Sequence, residues 1–169
     1  FSVEGIVQFS IVVTGEDASK YESPAERNLE FIAPNAALPA PKLSTAIFDS
    51  SGALVIVTLD SFSDRGSVEL AKRQRLGNTT TIESAVVQSE FICSYLFEFR
   101  GAAQALCQWI TNSQVHIYPS GTDLISKDDT INVISTISLR SLCILDQLEC
   151  EEWSVSSADS IVVEVPNDI

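Results

Sequence analysis

With 169 residues, the chain has room for one sizeable core and a shorter flanking element, whereas two full domains would be a squeeze. Its 45% of hydrophobic residues can bury enough apolar surface to offset the entropy of ordering, which excludes wholesale disorder. Acidic side chains outnumber basic ones 23 to 10 for a formal charge of -13, a surface that repels phosphate backbones and anionic lipid and so excludes nucleic acid as a natural partner.

In chain order, Val7, Phe9, Ile11 and Val13 alternate with Gln8, Ser10 and the less polar Val12, the period of two expected of a strand with one buried face. Residues 15–27 turn polar and charged, and Pro24, Pro34, Pro39 and Pro41 then punctuate a stretch rich in alanine and asparagine, where neither helix nor central strand persists. Residues 1–40 therefore read as an N-terminal strand and linker, and 41–169 as the main module. There, 42–49 and 53–60 form a hairpin around Ser50-Ser51-Gly52, the second strand rich in β-branched residues. After Asp64-Arg65-Gly66 comes an irregular stretch, 67–90, with a short helix over 68–76 and another strand over 82–88. Residues 91–99 fold back about Arg100-Gly101 onto 103–110, and 114–118 gives a strand before Pro119-Ser120-Gly121. Ile131, Val133 and Ile134 interleave with Thr130, Asn132 and Ser135, and Ile161, Val163 and Val165 mark a terminal strand ending before Pro166. Roughly seven or eight short strands with frequent turns predict an all-β fold, an immunoglobulin-like antiparallel β-sandwich. The antibody arrangement of two distant cysteines around a tryptophan is missing.

The four cysteines could pair in three ways, and local pairing is the simplest. Cys93 and Cys107 are symmetric about Arg100-Gly101, which places them opposite each other in a hairpin and predicts a bridge; Cys143 and Cys150 form the second close pair. The short C-x2-C spacing of zinc and redox sites is absent. Two disulfides imply an oxidising, extracellular compartment. The longest apolar runs, such as 53–59, have strand length, short of the roughly 20 residues that a membrane-spanning helix needs. A chain that begins at Phe1 and lacks methionine reads as a processed or excerpted segment. Asn78-Thr79-Thr80 is the one N-x-S/T sequon and makes Asn78 the candidate glycosylation site.

Catalytic chemistry is not expected. His116 is the single histidine, on a predicted strand and without a recognisable partner, and no nucleophile elbow, phosphate loop or H-E-x-x-H segment occurs. Asp60 and Asp64 flank a serine-rich turn, and Asp123, Asp128 and Asp129 stand near a later one; they read as turn aspartates bonded to local backbone, with weak calcium ligation as the alternative and no other cofactor. Glu149, Glu151 and Glu152 read as a solvated loop. Lys72, Arg73 and Arg75 form a basic island on an acidic chain, either a solvated helix face or an electrostatic dock for an acidic partner. Trp109 and Trp153 each follow a cysteine closely, a setting for core packing rather than for sugar stacking.

One resemblance spans most of 41–165. The run from Pro41 through Phe48-Asp49-Ser50-Ser51-Gly52, then Ile56-Val57-Thr58-Leu59-Asp60-Ser61, Ser63-Asp64-Arg65-Gly66, Phe91, Cys93, Leu96-Phe97, Phe99, Gly101-Ala102, Cys107-Gln108-Trp109, Asp128-Asp129-Thr130-Ile131 and the cysteine pair before Trp153 resembles a β-rich module of large surface proteins of algae, oomycetes and other protists. Those proteins often also carry the receptor-for-egg-jelly region of polycystin-like proteins. The sequence departs from that pattern in an insertion over about 67–89, and loop insertions often carry specific contacts. The resemblance implies repeated modules in a long extracellular chain, such as a polycystin-like receptor or a flagellar-hair glycoprotein. It implies contacts between like modules and no catalytic residues; the alternative is an adhesion module that binds carbohydrate or depends on calcium.

Overall fold

The computed structural model describes residues 5–9, 27–31, 36–78, 80–134, 137–144, 149–157 and 159–166. The chain divides into two compact units, Phe1–Ala36 and Ala37–Ile169. In the first, β1 (Gly5–Phe9) pairs antiparallel with β2 (Arg27–Phe31), Val7 opposite Leu29. The strand expected through Val13 is thus assigned over 5–9, and Ile11, Val13, Pro24 and Pro34 lie outside the described residues. A second strand at 27–31 corrects the reading of that stretch as linker: Asn28, Leu29 and Glu30 are far enough from the flanking prolines to donate to a ladder.

The second unit holds two antiparallel sheets. One has five strands in the order β3 (Leu43–Phe48), β4 (Val55–Leu59), β8 (Gln114–Tyr118), β7 (Leu106–Thr111), β5 (Glu90–Ile92); the other runs β10 (Ser160–Val162), β9 (Thr130–Val133), β6 (Phe97–Glu98). Alternation decides the faces. Val55, Val57 and Leu59 of β4 and Val115 and Ile117 of β8 are buried while the residues between them are half-exposed, the period-two pattern of strands with one covered face. These side chains join Phe97, Ile131 and Val133 of the smaller sheet in one apolar cluster, together with Phe91, Cys107 and Trp109. After β10 the chain leaves the smaller sheet, and Glu164 bridges in parallel to Ile47 at the edge of β3, where the Phe48 amide donates to the Glu164 carbonyl at 2.9 Å.

Between β4 and β5 lie two helices, α1 (Ser67–Arg75) and α2 (Thr81–Val87). The first falls where the pattern predicted it. Its sequence is rich in good helix formers, with Glu69 in the first turn and Lys72, Arg73 and Arg75 in the last, signs that suit the helix dipole. The second replaces the strand expected over 82–88. Ile82, Val86 and Val87 favour a strand on propensity alone, but Thr80 and Glu83 close a capping box that satisfies the first amides of a helix.

The expected cysteine hairpin is also corrected. Phe91 pairs with Cys107, but Cys93–Tyr95 then forms a 3-10 turn, and Phe97 crosses to the other sheet to pair with Val133. Cys93 and Cys107 are bridged nonetheless, with Cα atoms 4.9 Å apart, because the Cys93 amide still donates to the Ala105 carbonyl at 3.0 Å. Cys143 is bridged to Cys150 and packs with Leu38, Val68 and Trp153 in a smaller cluster.

Candidate interaction surfaces

The face of the five-stranded sheet turned away from the core carries little charge. Register fixes the side chains on it: Glu90, Gln108, His116, Ile56 and Ile47 form one row, and Ile92, Leu106 and Tyr118 another. Thr45, Thr58, Ile110 and Gln114 complete it, since they alternate with the core-facing Ala46, Val57, Trp109 and Val115. Glu90 is the one ionisable acidic or basic side chain apart from His116 in this set, and it accepts from the Gln108 amide at 3.3 Å. The Tyr118 hydroxyl donates to the other end of the same Gln108 amide at 3.2 Å. Ile92, Leu106 and Ile110 are 41%, 43% and 45% exposed; Ile92 and Leu106 are paired neighbours on β5 and β7, and Ile110 lies further along β7 beyond Gln108. His116 is half-buried in this face with its ring 6.4 Å from Tyr118.

A second surface is an open apolar groove of about 490 Å³ walled by Leu38, Leu59, Phe62, Leu142 and Ile144, with Asp60 and three serines at its rim. It forms where the segment after β4 meets the segment after β9: Ser63 bridges to Ser141, and the Leu142 amide donates to the Phe62 carbonyl at 2.9 Å.

The residues singled out in the sequence occupy separate places. Asp64 is buried: its carboxylate accepts from the Gly66 and Arg140 amides at 2.9 Å and from the Val68 amide at 3.1 Å, joining the start of α1 to the loop segment at Arg140. Burial pushes its carboxyl above the usual range, against the pull of the Arg140, Gly66 and Val68 amides. Asp60 is exposed and accepts from the Lys42 amide. Asp129 accepts from Arg100 and the Ser126 amide, Asp128 stands exposed with a positive φ of 68°, and Asp123 is exposed. Among the described residues no three acidic, cysteine or histidine side chains gather to hold a metal.

The basic island is largely spent within the molecule. Arg73 pairs with Glu69 at 3.1 Å and with Glu83 at 2.9 Å, which ties α1 to α2, and Arg75 pairs with Glu151; Lys72 is half-buried on the same helix. Arg140, 4% exposed, reaches Glu69 at 3.6 Å and donates to the Glu151 carbonyl at 3.0 Å. Glu149 and Glu152 are exposed. Asn78 is exposed just beyond α1. Trp109 is 4% exposed, donates its indole N–H to the Val86 carbonyl at 3.0 Å and lies under the Arg65 guanidinium; Trp153 is 7% exposed beside the second disulfide. Both rings pack in the interior, and neither offers a sugar a platform.

Two surfaces thus went unread in the sequence. The signal for the sheet face was present in β7 and β8, whose alternate residues Leu106, Gln108, Ile110, Gln114, His116 and Tyr118 carry no carboxylate. Comparison of the chain with protein-family models, with curated proteins and with solved structures finds no match.

Proposed function

We propose that the chain is a structural module of an extracellular or cell-surface protein, and that it docks onto like modules through the charge-poor face of its five-stranded sheet, where Glu90 is the one carboxylate. That face is the observation that carries the reading. On a molecule of formal charge -13, two copies repel wherever carboxylates meet, and the sheet face is a place where that penalty is small. Glutamine, threonine, histidine and tyrosine each donate and accept, so the same side chains can pair with their own copies across a two-fold axis. Charge depletion with aliphatic and aromatic enrichment is the composition of an interface core.

Five strands spaced about 4.8 Å apart and five residues long give a face that would remove roughly 800 Å² of total surface, below the ~1,200 Å² of stable complexes. A single pair of modules would then associate weakly, and tandem repetition would strengthen the contact through effective concentration. The two disulfides support the oxidising compartment.

The finer fold we read as immunoglobulin-like. The order β3-β4-β8-β7 matches the A-B-E-D sheet of that fold and β6-β9-β10 its C-F-G sheet, with β5 as an added edge strand. The resemblance to modules of protist surface proteins, polycystin-like receptors and flagellar-hair glycoproteins fits the same assignment.

Sedimentation equilibrium tests the docking. The expected result is a monomer-dimer equilibrium that strengthens with added salt, because screening removes net repulsion while the charge-poor contact is left intact. Leu106→Asp with Ile110→Asp, at exposed positions that cost the fold little, should abolish it. A monomer at every concentration and salt overturns the reading.

A further inference from the structure

We propose that Asn78 carries an N-linked glycan, and that the glycan is attached before α2 closes. Asn78 directly follows Gly77, whose φ of 68° ends α1, and its backbone amide donates to the Arg73 carbonyl at 3.0 Å. Its side chain stands in solvent, and no described residue bonds to the side-chain amide. Residues 74–78 and 80–82 are all exposed, so a bulky sugar at this turn displaces no packed side chain. Leu76 and Ile82, 65% and 40% exposed, flank the asparagine, and a sugar there would cover apolar surface that is otherwise open to water.

The order of events follows from Thr80. In the transfer, Asn78 Nδ2 bonds to the anomeric carbon of an oligosaccharide carried on a polyprenyl pyrophosphate. The bond from that carbon to the phosphate oxygen breaks, the lipid pyrophosphate leaves with the electron pair, and Nδ2 gives its proton to a base of the transferase. The hydroxyl at the third sequon position must be free for recognition by the transferase. In the folded chain that hydroxyl is bonded to the Glu83 carboxylate, which also accepts from the Thr80 amide at 3.1 Å. The glycan must therefore come first and the cap second.

The proposal rests on the secretory route of the preceding reading, and one digest separates the two. Mass mapping of the non-reduced protein from the cells that make it should find a glycan on the Asn78 peptide that peptide N-glycosidase removes, leaving aspartate. A bridged chain with bare Asn78 overturns the glycan alone; free thiols overturn the route and the glycan with it. Asn78→Gln should lose the glycan and keep α2, Thr80→Ser should keep both, and a glycan that persists in Asn78→Gln counts against the site. With the transferase in detergent-permeabilised microsomes, where folded and unfolded chains have equal access, the chain should be modified when presented reduced and unfolded, and not when presented folded. Equal modification of folded and unfolded chains overturns the order.

Discussion

Asp64 reads in sequence as a solvated turn aspartate bonded to local backbone; in the fold it does bond the nearby Gly66 and Val68 amides, but it is buried rather than solvated and also holds the distant Arg140 amide. Its carboxylate collects three backbone amides, two from the start of α1 and one from Arg140, 76 positions from Asp64, a partnership that spacing cannot reveal. Asp64→Ala would leave those amides buried without acceptors, at about 1–3 kcal/mol for each one that water cannot reach, so a loss of about 3 kcal/mol in urea unfolding is expected. The pH dependence has a definite sign. Burial raises the folded carboxyl above its unfolded value, so the stability that Asp64 contributes is full below the ordinary aspartate pKa of about 3.9 and is lost as pH rises through the folded value. The margin of the wild type over Asp64→Asn should therefore shrink from acid toward neutral pH, and a margin that grows instead would contradict the raised value. Asp49 has the opposite sense: the Ser51 hydroxyl and the Leu54 amide lower its carboxyl. Gly101 makes a steric point of the same kind, since at φ 87° an added Cβ would collide with the Asp123 carbonyl oxygen, a close approach that only glycine allows.

The elements were legible where one signal dominated. Strand β8 lies at 114–118, where a strand is expected before the Pro119-Ser120-Gly121 turn, and α1 where charge and helix propensity agree. Legibility failed where local and nonlocal preferences conflict: the β-branched residues of α2 outweigh its cap in any strand count, and β5 and β6 look like one strand because the switch between sheets occurs inside an apolar run. The cap is testable. Thr80→Ala should cost about 1 kcal/mol and speed amide exchange over 81–87. Because the Val86 carbonyl accepts from the Trp109 indole, the same change should shift Trp109 fluorescence. Altered exchange without any change at Trp109 would show that α2 frays without moving Val86.

At the scale of the whole molecule, charge and disulfides do separate jobs. Five arginines are engaged internally, four in ion pairs and Arg65 over Trp109, so much of the positive charge is committed within the fold and the outer surface is left acidic. The charge-poor sheet face emerges only when strand order brings β4, β8, β7 and β5 side by side, which is why the sequence conceals it. The two bridges should differ in what they hold. Loops of 14 and 7 positions separate them by only about 0.6 kcal/mol of chain entropy, but location separates them further. Cys93 and Cys107 are fully buried in the main cluster at the point where the chain leaves one sheet for the other, whereas Cys143 and Cys150 belong to the small cluster under α1 with Val68 and Trp153. Replacing the first pair by alanine should lower global stability by about 2–4 kcal/mol and speed amide exchange in both sheets. Replacing the second should speed exchange in α1 and change Trp153 fluorescence while β4, β7 and β8 stay protected. Equal loss of protection across all strands in both variants would mean that the two clusters unfold as one unit.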